Sequence, residues 1–294
     1  METKDIIKKV RKIEITTRNL VSDLFSGEYH SLFKGQGLEF SEVREYQSGD
    51  SFRQIDWNVT ARQGFPYIKK FEETRELNVM FLIDSSASTL FGTKSYLKSE
   101  FITEITAVLS FSALSNNDKV GLLLFTDEVE KYIPPTKGKK SALRILRDIL
   151  YFKPKQTGTN IKNAVEYIYR LIKKRSIIFV ISDFLDTNYL ESLKILAKKH
   201  DVIALRIQDK AEFEMPKAGL LYLQDPETGK TFAVNSSNSK FREKYTQEIM
   251  RQESELSEQF RKMKIDLVTL NTDEPYTPEL MKFFKFRVKM RNKR

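Results

Sequence analysis

Five short runs of apolar and β-branched residues punctuate the chain from Leu77 onward: LNVMFLID (77–84), KVGLLLFT (119–126), SIIFVISD (176–183), DVIALRIQD (201–209) and IDLVTLNT (265–272). A strand with one wet face alternates apolar with polar residues, so near-continuous runs mark strands covered on both faces. Between them, residues 96–115, 141–152, 160–174, 188–200 and 239–263 carry helical periodicity. Strands alternating with helices of these lengths predict an α/β fold. Its sheet is expected to be doubly wound, mostly parallel and of Rossmann type, with right-handed crossovers. The segment GLLYLQDPETGKTFAVN (219–235) interrupts the alternation and reads as a β-hairpin turning at Asp225 to Gly229.

The chain upstream has a different texture. From Lys4 to about Phe25, the residues Ile6, Val10, Ile13, Thr17, Leu20, Val21 and Leu24 recur three or four apart among Lys and Arg. This predicts an amphipathic helix that packs on the body of the protein or, alternatively, lies on a membrane surface. Residues 27–76 are broken by Gly27, Gly35, Gly37, Gly49, Gly64 and Pro66 around short runs such as LEFSEVREY, which predicts a small extended or β-rich region. Arg44, Glu45, Asp50, Arg53, Asp56 and Arg62 crowd there beside Trp57, either as structural ion pairs or as a partner-binding surface. The expected organisation is a helix and β-rich region over 1–76 and an α/β domain over 77–294.

Composition narrows the chemistry. With 40% hydrophobic and 31% charged residues over 294 positions, the chain is a globular one. It has no cysteine, so disulfides, thiolate metal sites and cysteine nucleophiles are excluded, and its histidines are only His30 and His200. Any metal is therefore expected on oxygen ligands, which suits magnesium, manganese or calcium. No signal peptide or apolar run long enough to span a membrane appears, so a soluble, cytoplasmic protein is expected. The net charge of +10 is concentrated in part in KFFKFRVKMRNKR (282–294), which reads as a basic tail. Such a tail suggests nucleic acid without specifying it, and no nucleic-acid partner is expected.

Ligands of open parallel sheets bind beyond the carboxyl ends of the strands. Two apolar runs end in aspartate, Asp84 in FLIDSSAS and Asp183 in FVISDFLD, while QTGTNIKNAV places Thr159 in a glycine-containing loop before a helix. An Asp-x-Ser-x-Ser exit can turn Asp84, Ser86 and Ser88 toward one point, with Thr159 and Asp183 arriving from neighbouring loops. Hydroxyls with few formal charges suit Mg²⁺ or Mn²⁺ and leave the ion electrophilic toward an external carboxylate. Thr159 can also cap the helix after it, a role compatible with ligation.

These three segments resemble the metal-ion-dependent adhesion site of von Willebrand factor A domains. The resemblance implies direct ligation by Ser86 and Ser88, direct or water-mediated ligation by Thr159, and action through water for Asp84 and Asp183. The third part departs from the usual Thr-Asp-Gly, reading Ser182-Asp183-Phe184. A second resemblance covers Lys34 to Ser88 and extends over most of the chain. Gly35, Gly37, Glu39, Phe40, Arg44, Tyr46, Gly49, Asp50, Arg53, Asp56, Trp57, Ala61 and Arg62 are similar to a bacterial family known as domain-of-unknown-function family fifty-eight. That resemblance implies work beside a MoxR-type AAA+ ATPase, as an adaptor in the assembly or maturation of a client protein. Enzymatic activity is not expected, since no histidine stands near a strand end and Ser86 occupies the position where a phosphatase places its second Asp. A metal-dependent hydrolase and a nucleic-acid-binding protein remain the alternatives. Neither a dinucleotide fingerprint nor a P-loop occurs, so ATP is expected on the partner.

Overall fold

The computed structural model describes residues 13–17, 38–73, 76–90, 97–213, 215–224 and 229–291. Ahead of the main sheet, β1 (Leu38–Glu45) pairs antiparallel with β2 (Tyr67–Glu73). Between them, in the segment expected to be extended, lies a short helix, α1 (Trp57–Gln63). Asp56 starts it by accepting hydrogen bonds from the Asn58 and Val59 backbone N–H groups, and Gly64 ends it at φ 76°, where a residue without Cβ is favoured. Arg44 and Asp50 form one of the expected ion pairs, at 2.7 Å, whereas Trp57 is exposed.

All five apolar runs become strands of a single sheet: β3 (Asn78–Asp84), β4 (Lys119–Phe125), β6 (Ile177–Ser182), β7 (Asp201–Gln208) and β10 (Asp266–Asn271). A sixth strand, β5 (Val129–Thr136), completes the order β10-β7-β6-β3-β4-β5. Every neighbouring pair is parallel except β4–β5. No apolar run marks β5 in the sequence, because VEKYIPPT is only partly buried and carries two prolines, which an edge strand tolerates and a central strand does not. Gly121 lets this edge close. A Cβ there would stand 2.4 Å from Met80 Sδ and 2.8 Å from the Ile133 carbonyl oxygen.

Helices cover both faces. In the crossovers lie α2 (Lys98–Ser115), α3 (Lys139–Tyr151), α4 (Ile161–Leu171) and α5 (Leu190–Lys199), followed by α6 (Ser239–Met263) and α7 (Tyr276–Arg291). Alternate residues of β3 serve opposite cores: Val79, Phe81 and Ile83 pack with Ile105 of α2, Ile145 of α3 and Phe284 of α7. Met80 and Leu82 pack with Ile168 of α4, Leu193 of α5 and Phe260 of α6. This two-sided burial is the reason the strand is hydrophobic throughout. The result is a mixed α/β architecture around a mostly parallel six-stranded sheet.

The stretch read as a basic tail is largely helical. Leu280 and Phe284, one turn apart on α7, are fully buried, and Arg287 bridges Asp201 at 2.6 Å and Asp266 at 2.7 Å. The expected hairpin is formed by β8 (Leu220–Gln224) and β9 (Thr231–Asn235), while most of its turn, 225–228, lies outside the described residues. Of the helix expected over 4–25, residues 13–17 are described and helical. Ile13 packs there on Ala107 of α2 and Leu146 of α3. The remainder, and His30, lie outside the described residues. No described helix is long and apolar enough to cross a membrane.

Candidate metal centre

Strand β3 delivers Asp84 to the carboxyl edge of the sheet, where the chain stops pairing and turns. Ser85 N–H donates to the Phe125 carbonyl at 2.8 Å and Ala87 N–H to the Thr157 carbonyl at 3.0 Å, which fixes the exit path against the end of β4 and the loop that carries Thr157. Asp84 Oδ1 accepts the Ser86 N–H at 2.9 Å, folding Asp-x-Ser-x-Ser back over its own carboxylate. The hydroxyls of Ser86 and Ser88 then meet at 3.0 Å. Ser86 is fully buried, and Asp84 and Ser88 are nearly so.

Thr159 arrives from the loop between α3 and α4, its hydroxyl donating to Asp84 at 3.4 Å and 3.5 Å. That loop is clamped to the β4–β5 turn. Gly158 N–H donates to Asp127 Oδ2 at 3.0 Å, Glu130 accepts from the Lys155 and Gln156 N–H groups, and Asn160 N–H reaches the Thr126 carbonyl at 2.9 Å. A Cβ on residue 158 would lie 2.5 Å from Asp127 Oδ1, so glycine is what allows the loop to sit this close. Asn160 caps α4 by accepting from the Asn163 N–H, which leaves the Thr159 hydroxyl directed at Asp84.

The end of β6 supplies Ser182 and Asp183. Ser182 Oγ donates to Asp84 Oδ2 at 2.8 Å, a contact the sequence reading did not assign, although Ser182 stands beside a residue it did. Asp183 is held otherwise. Its Oδ1 accepts the Leu185 N–H at 3.2 Å, its Oδ2 lies 3.9 Å from Lys98 Nζ, and its backbone carbonyl accepts from Arg206 Nε at 3.2 Å. Lys98 and Arg206, both buried, are not among the residues singled out in the sequence, since nothing local marks a lysine or arginine that a fold will enclose.

Asp84, Ser86, Ser88 and Thr159 thus form one hydrogen-bonded group, with Asp183 electrostatically coupled to it. Burial, with added repulsion from Asp183, pushes the Asp84 carboxyl up to about 7 against the opposing hydrogen bonds from Ser86 and Ser182. A desolvated carboxylate repelled by a second carboxylate favours a cation at the rim. Among the described residues no three or more His, Asp or Glu side chains form a metal cage. The donor set here is different: hydroxyl oxygens backed by two carboxylates, a set that fits a small hard cation keeping several waters. His200, by contrast, sits between α5 and the start of β7, at the opposite edge of the sheet.

Comparison with known proteins finds relatives that carry the description uncharacterized protein. It is 26% identical to the uncharacterized protein Rv1480 of Mycobacterium tuberculosis over 95% of its own length and 88% of that protein's. It is 30% identical to the uncharacterized protein YeaD of Bacillus subtilis over 37% of this chain and 25% of that one. Among solved structures, the conserved hypothetical protein BatB from Bacteroides thetaiotaomicron matches 72% of this chain and 99% of its own, at 19% identity and a TM-score of 0.47. The pattern of one family covers residues 42–255, and the chain belongs to that family, described as Protein of unknown function DUF58.

Proposed function

We propose that this protein is a von Willebrand factor A-like adaptor, cytoplasmic and non-enzymatic, that binds an acidic group of a protein partner through Mg²⁺ or Mn²⁺. The observation that carries the reading is the gathering of Asp84, Ser86, Ser88 and Thr159 into one bonded group at the carboxyl edge of a parallel sheet, with Asp183 beside it. When bound, the cation supplies an electrophilic coordination position for an external carboxylate. Ser86 and Ser88 would hold it directly and Thr159 directly or through water. Asp84 and Asp183 would act through water, providing negative charge while leaving the ion's contacts with the protein mostly neutral. A buried Asp84 held by three hydroxyl or amide donors is a poor nucleophile, and His200 lies at the far edge of the sheet, so binding without turnover is the better-supported use of this rim.

The partner we propose is a MoxR-type AAA+ ATPase or its client, following the sequence resemblance drawn on residues 34–88. The test is recovery of such an ATPase on the immobilised full chain, with Mg²⁺ and with EDTA, using wild type and the Ser86→Ala, Ser88→Ala double variant. Recovery should fall on chelation and in the double variant. Equal recovery in all four conditions, with circular dichroism confirming folded protein, would remove the metal site as the point of attachment.

A further inference from the structure

Lys98 opens α2 and is 1% exposed, which is rare for a lysine because burying an ammonium is costly unless carboxylates surround it. Two carboxylates face it. Glu212, in the 3₁₀ turn Lys210–Glu212 after β7, holds the ammonium in a direct ion pair, and Asp183 Oδ2 lies 3.9 Å from it. Glu212 is fixed in turn, its other oxygen accepting the Asp209 N–H at 3.1 Å while Asp209 accepts the Thr272 hydroxyl at 2.7 Å. The acidic rim therefore already contains a positive charge, placed on the carboxylate expected to act toward a cation.

We propose that Lys98 is a resident counter-cation that competes with a divalent ion for Asp183, with Glu212 setting how strongly it does so. The inference rests on the metal reading above and deepens it toward regulation. An ammonium beside Asp183 repels a second cation and neutralises part of the charge that would attract one, so the free protein holds metal weakly. A partner carboxylate arriving at the rim adds the missing negative charge. Metal and partner then strengthen each other by the same factor, because binding linkage is reciprocal. Glu212 is the more exposed member of the pair and acts in the opposite sense: it draws the ammonium away from Asp183 and adds its own charge nearby.

The two roles predict changes of opposite sign. Mn²⁺ alone is titrated into wild type, Lys98→Met and Glu212→Gln, with free Mn²⁺ read by electron paramagnetic resonance. Lys98→Met should bind Mn²⁺ about tenfold more tightly, and Glu212→Gln roughly fivefold more weakly, by Coulomb estimates at an intermediate dielectric. Should Lys98→Met fail to fold, the direction of change in Glu212→Gln decides alone. Unchanged affinity in folded variants, or weakening in both, would make Lys98–Glu212 a structural ion pair and overturn the inference while leaving the metal reading standing. A wild type that takes up no Mn²⁺ at all would overturn the metal reading and this inference with it.

Discussion

Ser182 Oγ donates to Asp84 Oδ2 at 2.8 Å across 98 residues of sequence, joining the ends of two adjacent parallel strands. The pairing of Ile83 with Ile181 sets this contact, since it brings the residues that follow, Asp84 and Ser182, to the same level of the sheet. The same hydroxyl accepts the Phe184 N–H at 3.0 Å, so one side chain shapes both the carboxylate and the turn that carries Asp183.

Ser182→Ala should therefore cost about 1–3 kcal/mol, the usual penalty for leaving a buried polar group without its partner. Urea denaturation of the metal-free protein checks this. A loss within experimental error of zero would mean that Asp84 is satisfied without Ser182.

Gly158→Ala tests the clamp on the Thr159 loop. The new Cβ would meet the Asp127 carboxylate at 2.5 Å, and Asp127, at the end of a short exposed side chain, should yield by releasing the Gly158 N–H. Global stability should fall by less than about 1 kcal/mol, because only one exposed hydrogen bond is lost. Mn²⁺ affinity should nevertheless drop several-fold as Thr159 moves from Asp84. Wild-type affinity in this variant would show that the clamp does not position the site.

His200 gives a pH dependence away from the rim. Burial, reinforced by Lys199 and Arg175, lowers its pKa from 6.5 to about 4. The unfolded chain then binds a proton that the folded protein refuses, so stability rises with pH across this interval. The contribution is complete above the unfolded value and is lost as pH falls from about 6.5 toward 4. Its size is about 3 kcal/mol at most, at roughly 1.4 kcal/mol per pKa unit. His200→Leu should lose about 2 kcal/mol less than wild type between about pH 7 and about pH 4.5, as measured by urea denaturation. Parallel losses in the two proteins would rule out His200 as a source of acid sensitivity.

Arg287→Met tests whether the basic residues of α7 hold the fold together. Arg287 bridges Asp201 and Asp266, at the starts of two adjacent strands, and its removal leaves two partly buried carboxylates facing each other. The expected cost is about 1–2 kcal/mol, between the small value of an exposed ion pair and the larger one of a fully buried pair. Thermal unfolding gives the answer, and an unchanged midpoint would show that the Arg287 bridge does not stabilise α7 against the sheet.

Strands β3, β4, β6, β7 and β10 were legible in the sequence because burial on both faces leaves a local record, an apolar run, that needs no knowledge of neighbours. The helix at 239–263 was legible for a similar reason, its period repeating over many turns between Asn238 as its cap and Lys264 at φ 58°. Strand β5 and helix α7 left weaker records. One is an edge strand with prolines, and the other hides Leu280 and Phe284 among lysines that face solvent. Asp84, Ser86, Ser88, Thr159 and Asp183 could be singled out because each follows a strand or precedes a helix, which is a property of the chain alone. What stands around them was decided by tertiary structure. Ser182 reaches Asp84 through strand register, Asp127 reaches Gly158 through the packing of two loops, and Lys98 meets Asp183 and Glu212 only because α2 and the turn after β7 close over the same edge. Hydrophobic periodicity is written along the chain, whereas the partner of a buried charge is selected by which elements the sheet order makes neighbours.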